Sequence, residues 1–146
     1  MKKIIFILTV LVMSIGFANA EKISVNAVNQ KIKSVCIMVN PSVTVANFVQ
    51  ETQSVLESKN IKVYLQNSEN KTYNCQASLK YDAHRKWWGI TYLSDVNYTL
   101  YETDNKQLLG TADFVITSGY DLSKYHAKVK DVVPKLLDKM IPTINN

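Results

Sequence analysis

Across 146 residues the chain has only four glycines, three prolines, two cysteines and two histidines, and each shortage closes off a class of function. One glycine falls within the first twenty residues, so no glycine-rich loop is available to cradle phosphates and nucleotide binding is not expected. The basic residues are scattered without a stripe or block, which removes the electrostatic footprint of a nucleic-acid binder. No C-x-x-C, H-E-x-x-H, nucleophile-elbow or paired-carboxylate pattern occurs. A metal site built on His84 and His126 would still lack the further ligands that zinc requires. Neither an enzyme nor a metal or other cofactor is expected.

What is present begins with residues 1–20. Lys2 and Lys3, the apolar run 4–12 and the small-x-small triplet Ala18-Asn19-Ala20 have the layout of a cleaved secretory signal peptide, of a short bacterial type. The run is too short for a stable transmembrane anchor, and the expected mature start is Glu21 rather than a lipid-accepting cysteine. The expectation is a soluble periplasmic protein that is not a lipoprotein, with an extracellular location as the alternative. Residues 21–146 then fit a single domain. Without Lys2 and Lys3 the chain holds fifteen basic against twelve acidic side chains. That mild surplus suits either a solvated surface or contact with anionic lipid headgroups, lipopolysaccharide phosphates or an acidic partner.

Export changes the reading of Cys36 and Cys75. In an oxidising compartment an isolated pair is most simply a disulfide, and closing a loop of this size is worth roughly 4 kcal/mol by the chain-entropy estimate.

Residues 21–33 alternate weakly and read as either a frayed arm or a short edge strand. Residues 34–39 are apolar on both faces, as in a strand with neighbours on each side. A helix is predicted over 44–59, capped by Ser42 or Thr44, with Val45, Phe48, Val49, Thr52, Val55 and Leu56 on one face and Asn60 as a left-handed terminator. Alternation then predicts strands over 61–66, 75–82, 87–102 and 107–117, with 83–86 as a charged connection and 103–106 as a turn. Gly110 marks a bulge or a close approach. Apolar residues at helical spacing from Leu122 to Met140 place a second helix over 128–141, started late enough that Pro134 lies in its first two turns. The expected fold is α+β: a two-layer sandwich with a mixed four- to five-stranded sheet and two amphipathic helices, in the order β-α-β-β-β-β-α.

Residues 82–89 concentrate interaction chemistry. Arg85 and Lys86 supply donors for phosphate or carboxylate, Trp87 offers a flat face, and His84 lies beside them. The alternative is an ordinary hairpin connection with its two tryptophans split between core and surface. Tyr101 and Tyr64 have the parity opposite to the core positions, so they form an aromatic patch if they gather on the helix-free face. Asn-x-Thr triplets at Asn70 and Asn97 matter only where glycosylation machinery exists.

In element order the region after residue 20 resembles small α/β modules of the bacterial envelope: the amino-terminal domain of TolB, LpoB-like activators of wall synthesis and LptE-like assembly proteins. The likeness spans that whole region and lies in the order of elements rather than in a shared motif, so it carries over no functional residue. It implies a non-enzymatic accessory role, with another envelope protein or an envelope glycan as partner. The LpoB-like and LptE-like proteins bear a lipid-carrying cysteine that a chain starting at Glu21 lacks. An inhibitor or immunity-type protein is the alternative. A third reading, an unrecognised hydrolase, requires a pocket joining His84 or His126 to a carboxylate. The sequence leaves the oligomeric state open.

Overall fold

Alternation and helical spacing are realised as two layers in the computed structural model, which describes residues 21–67, 73–118, 120 and 122–144. The signal-peptide segment and the Asn70 triplet lie outside the described residues. The elements are β1 (Glu21–Asn26), β2 (Ser34–Met38), α1 (Phe48–Ser58), β3 (Lys62–Gln66), β4 (Ala77–Trp87), β5 (Thr91–Glu102), β6 (Leu108–Ile116), a 3-10 turn (Leu122–His126) and α2 (Val129–Met140). They form one sheet in the order β1-β6-β5-β4-β2-β3. The α+β class therefore holds, but the sheet has six strands rather than four to five.

The additional strand is β1, which pairs antiparallel to β6 with Ile23 opposite Phe114. An edge strand needs one ladder and one covered face, so the weak alternation of Ile23 and Val25 suffices: both pack against the core while Lys22, Ser24 and Asn26 face water. β2 has neighbours on both sides, parallel to β3 and to β4, as its two apolar faces require. Its ladder to β4 is short, only Val35, Ile37 and Cys36 between them finding partners. The Cys36–Cys75 disulfide is formed beside that ladder, with Cα atoms 5.7 Å apart.

The helix-covered face holds the core. Val35, Ile37, Leu79, Tyr98, Leu100 and Ala112 from the sheet meet Phe48 and Leu56 of α1 and Val133, Leu136, Leu137 and Met140 of α2. α1 starts at Phe48, four residues later than expected, because Asn47 takes a left-handed conformation (φ 62°); neither Ser42 nor Thr44 caps it. Asn60 does adopt the left-handed terminator geometry (φ 61°). Thr52 ties α1 to the sheet: its hydroxyl donates to the Phe48 carbonyl (2.8 Å), so the Tyr98 phenol 2.6 Å away must be the donor to it. Burial pushes the Tyr98 phenol well above its usual range.

Two bulges shape the sheet. In the β5–β6 ladder Leu100 faces Gly110 and Tyr101 faces Leu108, leaving Leu109 unopposed. Gly110 is also a close approach, since a Cβ there would meet Val28 Cγ2 at 2.8 Å and the Asn26 carbonyl at 2.9 Å. The second bulge lies at the other end of β5 and defines the candidate site.

Candidate functional site

Where the sequence pattern of a charged connection led to the expectation of a loop over 83–86, β4 continues through to Trp87. The turn is 88–90, with Gly89 at φ 74°. No residue from His84 to Gly89 is buried, so these charges are tolerated in a strand because their own side chains reach water, even though Tyr92 and Leu93 opposite them on β5 are buried.

The ladder there is interrupted. His84 pairs with Asp95 and Arg85 with Leu93, which leaves Ser94 as the extra residue. This explains why a polar residue breaks the apolar parity of β5, and why Leu93, of the opposite parity to Val96, is buried. The Ser94 hydroxyl is buried and satisfied, 2.7 Å from Asp95 Oδ2 and 3.2 Å from the His84 carbonyl. Asp95 Oδ1 in turn lies 2.6 Å from His84 Nδ1, and Asp82 lies 3.7 Å from His84 Nε2. The hydrogen bond to Asp95, with the charges of Asp95 and Asp82, raises the His84 imidazole above its ordinary value. Burial alone would raise the Asp95 carboxyl, but the hydrogen bonds from His84 and Ser94 outweigh it and hold the group below its ordinary value. In this cluster the carboxylate sits between hydroxyl and imidazole. Hydrolytic triads place the imidazole in the middle, so Ser94 is not presented to a base.

Arg85 leaves on the other side of the strand. Its Nη2 donates to the Thr44 carbonyl at 3.3 Å, and it lines a cavity of about 180 Å³ with Val45, Tyr92, Leu93, Lys128 and Val129. A cavity of about 210 Å³ lies between residues 30–33 and 141–144, and a shallow groove runs along β3. His84 and His126 line none of the three. Among the described residues no cluster of three or more His, Cys, Asp or Glu side chains could hold a metal ion.

Trp87 and Trp88 stand at the end of the hairpin, and the segment after β6 returns against them. Tyr120 meets Trp88 edge to face at 5.2 Å, the Lys124 ammonium donates to the Trp88 carbonyl at 2.9 Å, and the Leu93 amide donates to the Ala127 carbonyl. The result is a single tip built from two segments. Among the described residues ten large apolar side chains are exposed, and five of them belong to this tip: Trp87, Trp88, Tyr120, Leu122 and Tyr125. Leu122 and Tyr125 fit the helical spacing of α2 in sequence, yet they stand on a separate 3-10 turn and face water.

Of the residues singled out in the sequence, Arg85, Lys86 and Trp87 therefore belong to the tip, and His84 borders it on the open face. Tyr101 does not. It lies ten residues from Thr91 along β5, about 33 Å in extended chain. The pairing Tyr101–Ser78, Ser78–Cys36 and Cys36–Tyr64 puts Tyr101 and Tyr64 in one transverse row on the helix-free face. They do not touch as a patch: Tyr64 stacks on Tyr73 at 4.8 Å, whereas Tyr101 lies under Lys80 at 5.6 Å.

No protein-family model and no curated protein matches the chain. Solved structures do. A PelC dodecamer from Paraburkholderia phytofirmans superposes with a TM-score of 0.62 at 11% identity, covering 86% of this chain and 99% of that one. A variant of the same PelC dodecamer gives 0.62 at 12% identity, covering 82% and 96%. A minor lipoprotein from Acinetobacter baumannii gives 0.33 at 12% identity, covering 72% and 86%. At these identities the PelC likeness is one of fold. The chain thus shares its architecture with PelC over almost the whole of that protein.

Proposed function

We propose that this is an exported, non-enzymatic accessory protein that works by docking its tip on another component of the cell envelope. The observation that carries the reading is the convergence of five exposed large apolar side chains, from two segments far apart in sequence, beside Arg85 and Lys86. Leaving such a cluster in water is unfavourable unless a partner covers it, and aromatic and arginine side chains are the usual anchors of such contacts. The disulfide fits an oxidising compartment and hence export. No helix among the described residues is long and apolar enough to cross a membrane. A photo-crosslinking residue placed in turn at positions 87, 122 and 64 in cells tests the reading. Adducts with envelope components from 87 and 122 but not from the sheet-face position 64 are expected; equal labelling from all three, or none, removes the tip as the docking site.

A second reading, self-assembly, is supported by the likeness to PelC, which is a dodecamer, together with the edge strand β3, whose Tyr64 and Leu65 are exposed. Native mass spectrometry of residues 21–146 decides it: a monomer at all concentrations rules it out.

A further inference from the structure

Building on the docking reading above, we infer that the partner of the tip is the surface of an anionic phospholipid bilayer, which takes in Trp87, Trp88, Tyr120 and Leu122 between headgroups that Arg85, Lys86 and Lys128 contact. Three features of the tip support a bilayer over a folded protein.

The first is shape. Trp87, Tyr120 and Leu122 are 73%, 81% and 75% exposed, so they protrude rather than lie flat. The core of a protein interface is close-packed and demands a matching concavity for each projection, whereas the boundary between headgroups and acyl chains is fluid and needs none.

The second is composition. Tryptophan and tyrosine, each an apolar ring with one polar atom, make up four of the five exposed large apolar residues of the tip. These are the residue types that settle where acyl chains give way to headgroups. Both tryptophans of the whole chain are here.

The third is charge. Beyond residue 20 the chain has three more basic than acidic side chains. Residues 85–88 and 120–128 contain Arg85, Lys86, Lys124 and Lys128 against the single acid Asp121, which accounts for that whole surplus. The rest of the domain is balanced. Arg85, Lys86 and Lys128 are exposed and belong to the same two segments as the apolar side chains, so a docking bilayer meets cations for its headgroup phosphates together with apolar groups for its acyl boundary.

Because Trp87 and Trp88 are the only tryptophans, selectively excited tryptophan fluorescence reports on the tip alone. Protein comprising residues 21–146, with its disulfide formed, is titrated with vesicles of equimolar phosphatidylglycerol and phosphatidylcholine, and in parallel with phosphatidylcholine alone. A blue shift of tryptophan emission and co-sedimentation are expected with the anionic vesicles only, fading as salt shortens the Debye length to about 3 Å. Trp87→Ser combined with Leu122→Ser should weaken binding about tenfold or more. Lys86→Gln and Lys128→Gln should each weaken it about fivefold. Tyr64→Ser, on the sheet face away from the tip, should leave it unchanged. All of these side chains are exposed, and an unchanged circular dichroism spectrum verifies the fold of each variant.

Absence of both shift and sedimentation overturns the inference, as does equal binding to phosphatidylcholine. If vesicles leave the emission unmoved while position 87 crosslinks to one defined envelope protein, the bilayer inference fails and the docking reading stands. If neither vesicles nor crosslinks engage the tip, both fail.

Discussion

The β4–β5 hairpin is two different structures on either side of its bulge. Below it, Leu79, Tyr81 and Ala83 face Leu100, Tyr98 and Val96 under two helices, and all are buried. Above it, the ladder continues, but β4 carries His84, Arg85, Lys86 and Trp87 in water while Tyr92 and Leu93 of β5 stay buried. The backbone barely changes; the cover narrows to the β5 side. Pairing alone extends a hairpin, whereas burial of side chains requires a second layer, and the part that outruns the layer is free to act as a contact surface.

The sharpest way to break this comparison is to cut a side chain on each side of the bulge. Leu79→Ala, in the fully buried half, should cost about 2–5 kcal/mol. Trp87→Ala should stay within about 0.5 kcal/mol of the parent. Urea unfolding reads both; a comparable loss at Trp87 would mean that the tip is structural. Removing the disulfide with Cys36→Ala and Cys75→Ala should cost about 2–5 kcal/mol in the same assay, while leaving vesicle binding by the folded fraction intact. A smaller loss, about 1–3 kcal/mol, is expected for Gly110→Ala, whose new Cβ must displace Val28 or the Asn26 backbone of the β1 end. Hydrogen exchange should then rise first in β1.

The smallest effect belongs to the bulge itself. His84 has a raised imidazole, so its contribution to stability is complete below the ordinary value of 6.5 and is lost as pH rises through the raised folded value. Asp95 is depressed, so its contribution is present above the ordinary 3.8 and is lost as pH falls through the depressed folded value. The charged pair is therefore held together between those two limits. An NMR titration of the His84 ring should show its midpoint fall in Asp95→Asn. An unmoved midpoint would place the cause elsewhere.

Much of this architecture was legible because strands with one dry face write a period of two into the sequence. Residues 34–39 read as a two-sided strand, 75–82 and 87–102 as half-buried ones, the latter interrupted by the turn at 88–90 and the bulge at Ser94, and Cys36 and Cys75 as a pair. What escaped was set by contacts remote in sequence. β1 is a strand because β6 offers it a ladder, not because its own alternation is strong. α1 begins late because Asn47 turns left-handed, which no spacing records. Arg85, Lys86 and Trp87 were legible as a site from their composition. Tyr120, Leu122 and Tyr125 were not, because helical spacing assigns the last two to the face of α2, and only the return of the chain past Trp88 brings them to the tip. Parity pairs Tyr101 with Tyr64 on the helix-free face, and they do share a row there, yet each lies against a different neighbour, Lys80 and Tyr73.

The short ladder between β2 and β4 has a mechanical consequence. Among the described residues it is the sole strand pairing that joins the parallel pair β2–β3 to the antiparallel strands β4, β5, β6 and β1. A pull on β3 would have to be resisted there by a few hydrogen bonds loaded in shear. The Cys36–Cys75 bond lies in parallel with them, so the load passes through a covalent link, and the sheet yields elsewhere first.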